Sequence, residues 1–322
     1  MDKIRIAIIG VGGISHGHIN QLLKLESVEI MVIVDPNIEN RNHILDKFPL
    51  LHVKEYSGHK EMLRYEEVDA VVICSPHTLH FKQGMDALDS GCHVLMEKPM
   101  TTNAIEAQQL IDKAELEKKV IQVSYQRHFE PAFLLIKQVI EDDEIGKLTS
   151  ITASLYQNWK QLTIGTWRQN PSLSGGGMLM DSGSHIMDVL LWTTGLKPTE
   201  VFSKIDRHHT PVEIDSISAI RFESGVIAGV NIIGSAPGWY ESYAFCGENG
   251  GIFFDNGKVT IHKQNEEPIV PILPTQQTNT DKSFIDAIQN KSKVHVPGDY
   301  AKQVIELTER MYRSAGYRRF EF

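Results

Sequence analysis

The sequence predicts an α/β protein in two parts: a doubly wound parallel sheet over residues 1–124, then an α/β domain with a largely antiparallel sheet over residues 125–322. Three observations carry this reading. Through the first part, short β-branched runs alternate strictly with longer polar-apolar stretches, and parallel strands need a crossover that is usually helical. A glycine-rich turn, Gly10-Val11-Gly12-Gly13, separates the first such run from the first amphipathic stretch. Beyond Tyr125 the helical spacers give way to strand-like runs joined by tight-turn signals.

The predicted strands of the first part are residues 3–9, 28–34, 52–56, 69–74, 93–96 and 121–124, and the helices are 15–25, 38–48, 59–65, 80–90 and 105–117. These strands are apolar almost throughout, as befits strands covered on both faces. In the second part a helix over 133–141 and a strand over 148–159 lead into a loop containing Trp and Gly, then a helix over 178–194. Strands follow at 200–206, 213–222, 226–234, 240–246, 251–255 and 258–263. Glu223-Ser224-Gly225 and Asp255-Asn256-Gly257 supply hairpin turns, because glycine tolerates positive φ. Residues 268–280 carry three prolines and read as a surface loop ahead of two closing helices, 281–289 and 299–312.

Composition excludes several classes. With 41% hydrophobic and 23% charged residues, the chain is neither disordered nor fibrous. Thirty-two Lys and Arg against 41 Asp and Glu leave a net charge of −9, the wrong sign for coating a phosphate backbone, so no nucleic-acid partner is expected. The longest strictly apolar runs, such as 30–34 and 70–74, fall far short of the 18 or so residues of a membrane span, so no membrane partner is expected either. With Asp2 where a signal peptide would be basic, no export signal is expected. Three widely spaced cysteines with no C-x-x-C pair suit a reducing cytoplasm and offer no zinc site.

The glycine turn is the first motif with chemistry in it. Glycines there let the backbone approach a pyrophosphate, whose charge is held by the free N–H groups opening the next helix. Asp35 ends the second strand 25 residues after Gly10, where an acid that accepts the adenosine ribose hydroxyls is expected. Together they predict a dinucleotide site. A carboxylate at that point repels a 2′-phosphate, and Pro36-Asn37 brings no adjacent cation, so NAD is favoured over NADP. The same loop spells Gly13-Ile14-Ser15-His16-Gly17, a match to the nucleophile elbow of serine hydrolases, but too little chain precedes it to supply an oxyanion donor.

Two further segments stand out. Glu97-Lys98-Pro99 directly follows the fifth strand, and ligands of doubly wound sheets bind beyond the carboxyl ends of the strands. The run Gly175-Gly176-Gly177 leads to Asp181, His185 and Asp188, which as one helix would share a face. A carboxylate beside an imidazole can orient it as a general base. His77 and His80 form an H-x-x-H without a suitable third ligand, so no metal is expected. His16 and His18 read as residues that cap or pack the first helix.

The ordered set of these motifs resembles the glucose-fructose oxidoreductase, inositol dehydrogenase and MocA (Gfo/Idh/MocA) family over nearly the whole chain. It comprises the loop ending in Gly12-Gly13-Ile14, Asp35, the 76–80 loop, Glu97-Lys98-Pro99, the stretch from Tyr125 to Pro131, Trp167-Arg168 and the triple-glycine segment with Asp181 and His185. The resemblance implies a Rossmann domain and a C-terminal domain whose open sheet mediates association as a homodimer or homotetramer. It also implies NAD(P)-dependent oxidation or reduction of a sugar or cyclitol hydroxyl, with Lys98, Asp181 and His185 as the catalytic residues. Gly10, Gly12, Gly13, Ile14, Asp35, Ser75, Pro76, His77, His80, Glu97 and Lys98 would then contact NAD. Arg127, Trp167, Arg168 and Tyr240 are candidates for the substrate pocket, each equally readable as packing. Ser15 replaces the third glycine and His128 stands where a second arginine is common. Three activities stay open: a freely cycling dehydrogenase, an enzyme that retains NAD and cleaves a glycoside through transient oxidation and elimination, and a non-catalytic cofactor-binding regulator.

Overall fold

A computed structural model describes residues 3–49 and 51–317; the remaining ends of the two predicted domains lie outside the described residues. The chain divides into two compact units, Met1–Tyr125 together with Thr278–Lys302, and Gln126–Gln277 together with Gln303–Phe322. The single boundary expected at residues 124/125 is therefore crossed again, because the segment after Gln277 returns to the first unit.

In the first unit the elements run β1 (Ile4–Ile9), α1 (Ser15–Leu22), β2 (Val28–Val34), α2 (Ile38–Lys47), β3 (Lys54–Tyr56), α3 (His59–Tyr65), β4 (Ala70–Ile73), α4 (His77–Asp89), β5 (His93–Glu97), α5 (Ala104–Leu116) and β6 (Ile121–Ser124). The strands form one sheet in the order β3-β2-β1-β4-β5-β6, parallel throughout. That order reverses direction at β1/β4, which makes the carboxyl ends of these strands the ligand-binding edge. Asn37 and Asn103 cap α2 and α5 through their side-chain oxygens, which explains why both helices start where they do.

The returning segment belongs with this sheet for two physical reasons. Phe284 and Ile285 are buried in one cluster with Ile4, Ile6, Ile8, Ile19, Leu22 and Leu95. Gln122 of β6, fully buried, donates to the carbonyl of Thr280 (2.9 Å) and accepts from the Ser283 hydroxyl and the His295 amide, each at 3.3 Å. A buried amide left unsatisfied would cost on the order of 1–3 kcal/mol, so these bonds anchor the segment as well as its apolar contacts do.

The second unit contains α6 (Pro131–Glu141), β7 (Leu148–Tyr156), α7 (Trp159–Leu162), α8 (Pro171–Ser174), α9 (Gly183–Thr194), β8 (Pro198–Asp206), β9 (Asp215–Phe222), β10 (Ile227–Ile233), β11 (Tyr240–Gly247), β12 (Gly250–Asp255) and β13 (Lys258–Lys263). Its seven strands are ordered β13-β12-β11-β7-β10-β9-β8. All neighbours are antiparallel except β7 and β10, so the sheet is mixed around its centre and antiparallel elsewhere. The two glycine turns close the β9–β10 and β12–β13 hairpins as expected. Along β9, buried and exposed residues alternate, the mark of a sheet with one covered face. Phe133 of α6 stacks on Phe254 (5.0 Å) and meets Tyr243 edge-on (5.7 Å), which seats that helix on the covered face. Helix α10 (Thr280–Ile288) lies in the first unit, and α11 (Gly298–Ser314) begins in the first and ends in the second. No described helix is long and apolar enough to cross a membrane.

Candidate active site

The first unit carries the nucleotide cradle. Gly10 has a φ of +85°, and a Cβ there would stand 2.7 Å from the Ser75 amide nitrogen, so the β1 and β4 ends approach closely only because this residue is glycine. Gly12 and Gly13 face open space, and no side chain caps α1 at Ile14. That is the fit a pyrophosphate requires: room over the loop that a Cβ would begin to fill, and helix-start amides facing it. Ser15 is buried and its hydroxyl donates to the Gly12 carbonyl at 2.7 Å, so the serine at the third glycine position braces the loop from behind.

Asp35 is buried and tied to the same loop. Its Oδ2 accepts from the Val11 amide (3.0 Å) and the Asn40 side chain (3.2 Å), and its Oδ1 accepts from the Asn37 amide (2.9 Å). A cation beyond the Pro36-Asn37 pair also reaches this strand end. Arg41 donates from its guanidinium to the Asp35 carbonyl, and its Nε reaches Glu55 at 3.1 Å. A single helical turn brings it there, and scanning only the residues next to Asp35 missed it.

On the other side of β1, the Ser75 hydroxyl donates to Gln83 (2.5 Å). His77 and His80 are both buried, their rings edge-to-face at 5.9 Å. The two ring nitrogens of His80 lie 2.8 Å from the carbonyls of Ser75 and Pro99, and burial lowers its pKa. His80 thus braces the loop after β4 against the turn after β5, with Pro76 as the N-cap of α4. Glu97 is buried at the end of β5, Lys98 is half-buried, and the Lys98–Pro99 peptide is cis.

His18, read from sequence as packing, is part of a charged array. One ring nitrogen lies 2.7 Å from Oδ1 of Asp281 on α10, and the other 3.0 Å from Oε1 of Glu97. Burial works against a charged imidazole here, yet the charge and hydrogen bonds of Asp281 and Glu97 outweigh it and raise the pKa from 6.5 to about 10. His16 instead is half-buried against Lys47 and the His43 ring.

The second unit holds the triple-glycine segment. Gly177 passes under the backbone of Glu213 so closely that a Cβ would lie 1.9 Å from that carbonyl oxygen. The Glu213 carboxyl accepts from the Gly177 amide (2.6 Å) and the Tyr312 hydroxyl (2.5 Å), and burial raises its pKa. The expected helix over 178–194 begins only at Gly183. Before it, the Asp181 amide bonds the Gly177 carbonyl and the Gly183 amide reaches back to Met178, so a wider turn precedes the helix. Asp181 sits in that turn, and the helical-face argument for its register with His185 does not hold.

Asp181 is positioned from elsewhere. Its Oδ2 accepts from Nε1 of Trp159 (3.0 Å) and Nε of Arg168 (2.9 Å). Trp167 stacks beneath the Arg168 guanidinium at 4.5 Å, and Ser182 donates to Gln157 at the end of β7 (2.9 Å). Trp159 was missed because its role appears only through this tertiary contact. His185 is half-buried in the first turns of α9.

The remaining candidates have partners of their own. Asp188 pairs with His128 at 2.7 Å, and the His128 ring stacks on Trp192 at 4.0 Å. Arg127 is buried, donates to the Tyr243 hydroxyl (2.7 Å), contacts Glu241 (2.5 Å) and lies over the Phe133 ring. That network is the packing alternative given for this residue: its guanidinium bonds within the second unit. Tyr240 opens β11 opposite Tyr156, the rings 5.8 Å apart.

Known proteins share this architecture. Residues 4–125 match the model of the oxidoreductase family with an NAD-binding Rossmann fold, and residues 133–253 match the GFO/IDH/MocA C-terminal domain. Inositol 2-dehydrogenase of Arthrobacter sp. is 28% identical over 74% of this chain and 70% of its own length. D-glucoside 3-dehydrogenase of Escherichia coli is 21% identical over 98% of this chain and 96% of its own. The WlbA dehydrogenase of Bordetella pertussis, solved with NADH and UDP-GlcNAcA, superposes with a TM-score of 0.86 at 22% identity, covering 98% of this chain and 97% of that one. The chain belongs to the Gfo/Idh/MocA family of oxidoreductases, with an NAD-binding Rossmann domain followed by the family's C-terminal domain.

Proposed function

We propose that the protein moves a hydride between NAD and a carbon bearing a secondary hydroxyl on a sugar, cyclitol or sugar derivative, with Lys98, Asp181 and His185 as catalytic residues. The observation that carries this reading is Asp181. A buried carboxylate fixed by Trp159 and Arg168, in the turn that leads into the helix carrying a half-buried imidazole, is suited to acid–base work on an alcohol. The glucoside 3-dehydrogenase and inositol 2-dehydrogenase relatives support a ring polyol as the substrate class.

NAD supplies the hydride acceptor or donor at its nicotinamide. Its adenosine ribose would be held by Asp35 and its pyrophosphate by the loop at Gly12, Gly13 and Ile14, with Ser75, Pro76, His77, His80 and Glu97 shaping the rest of the cradle. His185 takes the hydroxyl proton at Nε2, since its Nδ1 has no contact with solvent. Asp181 favours the charged imidazole by its own charge. Lys98 offers positive charge to the oxygen from which the proton leaves. Trp167, with a flat apolar face, and Arg168, with several N–H donors, are the substrate contacts this reading favours. Self-association through the uncovered face of the seven-stranded sheet is supported by Phe202, Ile217 and Ile227, which are exposed on it.

A panel of cyclitols, aldoses and glycosides with NAD, followed by NADH absorbance, tests the proposal, with Lys98→Met as the blank. Absorbance that rises with at least one ring polyol and vanishes in the blank supports it. Release of a free sugar with no spectral change would assign an NAD-retaining cleavage instead.

A further inference from the structure

We propose that His18 is a positioning residue: bridging Asp281 of α10 and Glu97 of β5, it locks the carboxylate on which the Lys98 turn is built. The proposal rests on the reading of Lys98 as catalytic, and extends the apparatus serving it to a helix remote in sequence.

The placement follows from the elements. On α1 the buried residues Ser15, His18, Ile19 and Leu22 recur at helical spacing and face the sheet. Along β5, side chains alternate between faces, and Leu95 packs in the cluster that contains Ile19, Leu22, Phe284 and Ile285. Glu97, next but one after Leu95, therefore points to the face that α1 and α10 cover, and Lys98 follows directly after it at the end of the strand. The Asn279 side chain, capping α10, also reaches Gln21 of α1 at 3.2 Å, which holds the two helix ends together.

The chemistry of the bridge leaves little choice of state. An imidazole set between two carboxylates satisfies both only by donating from both nitrogens, which requires the imidazolium. Two buried negative charges and one positive then hold one another, and Glu97 is kept ionised against its burial chiefly by the His18 hydrogen bond and charge. The second oxygen of Glu97 accepts from the Lys98 amide at 3.2 Å. Ser124 bonds Glu97, Cys74 has its thiol pKa pushed well up by burial and by the charges of Glu97 and Asp281, and His80 and the charge of Lys98 also act on Glu97. Of these groups His18 is the one hydrogen-bonded to both carboxylates. Losing one member strands another charge in the interior, which forces the rest to move.

Asp281→Asn tests this with the full chain. Two readouts apply: the rate at which acetic anhydride labels Lys98, followed by peptide mass spectrometry, and kcat on whichever polyol the panel selects. Labelling needs no substrate, so it reports on Lys98 even if the proposed activity is wrong. The expected result is a change of at least threefold in Lys98 labelling with other lysines unchanged, a fall of at least tenfold in kcat, and NAD binding within twofold of the parent. Altered labelling with unaltered kcat would keep the positioning role and reject Lys98 as catalytic. Parental labelling would overturn the proposal. Phe284→Leu loosens the same helix through its apolar contact and should leave Lys98 labelling alone; an equal change there would reduce the bridge to ordinary packing and also overturn it. If Asp281→Asn does not fold, the charge-conserving Asp281→Glu is judged by the same threefold criterion.

Discussion

Nε1 of Trp159 donates to Oδ2 of Asp181 at 3.0 Å, on the oxygen that also takes Nε of Arg168 at 2.9 Å. One carboxylate oxygen is thus held by two fixed donors, which sets the orientation of the group. Trp159→Phe removes one donor while keeping most of the ring. A hydrogen bond to a charged group contributes about 1.5–3 kcal/mol, so kcat is expected to fall roughly tenfold or more. Steady-state kinetics on the selected polyol checks this, and an unchanged kcat would remove Trp159 from the positioning of Asp181.

His185→Ala is expected to lower kcat by about 10² to 10⁴, the usual worth of a general base. NAD affinity, measured by titration of intrinsic fluorescence, should hold. Retained turnover would assign the proton to another group.

Asp35→Ala removes the proposed acceptor for the ribose and the partner of the Val11 amide. NAD binding should weaken by roughly tenfold, or about 1.4 kcal/mol. The preference over NADP should narrow, because Arg41 then becomes the dominant charge beside that end of the cradle. Arg41→Ala in the same background should restore the preference against NADP; dissociation constants for both cofactors decide the matter.

Gly177→Ala places a methyl 1.9 Å from the Glu213 carbonyl oxygen, with no flexible side chain to give way. A loss of about 2–4 kcal/mol is expected, at the upper end for a single substitution. Thermal denaturation should show it as a lowered Tm, whereas an unchanged Tm would mean that the β9 approach opens freely.

The buried His18 makes stability depend on pH in a defined sense. Its pKa is raised from 6.5 to about 10, so the native state holds more protons than the unfolded state in that window. The stabilisation is complete below about pH 6.5 and is lost as pH rises through about 10, with a slope of at most about 1.4 kcal/mol per pH unit. Urea midpoints at intervals from pH 6 to 10.5 should fall accordingly. The variant neutralised at His18, Glu97 and Asp281 together should lose that slope, and an identical slope in it would place the titration elsewhere.

Much of the architecture was legible because it is written in local pattern. Apolar alternation and glycine turns located every strand of both sheets to within a few residues, and Gly10, Asp35 and Lys98 fall at strand ends, where neighbouring residues suffice to define the position. The start of α9 was not legible, since the wider turn at Gly183 depends on Gly177 being held under Glu213, 36 residues away.

By itself, then, the sequence determined the alternation of elements, the phosphate loop and the family to which the chain belongs, all properties of residues near one another. Tertiary structure alone decided that Asp281 meets His18 across 263 residues, that Asp188 pairs with His128, that Arg127 is spent in the core and that Arg41 reaches Asp35. Hydrophobic periodicity records which face of an element is buried. It carries no information on which buried polar groups meet there, because that pairing follows from how distant elements pack and from the cost of leaving a charge in the interior without a partner.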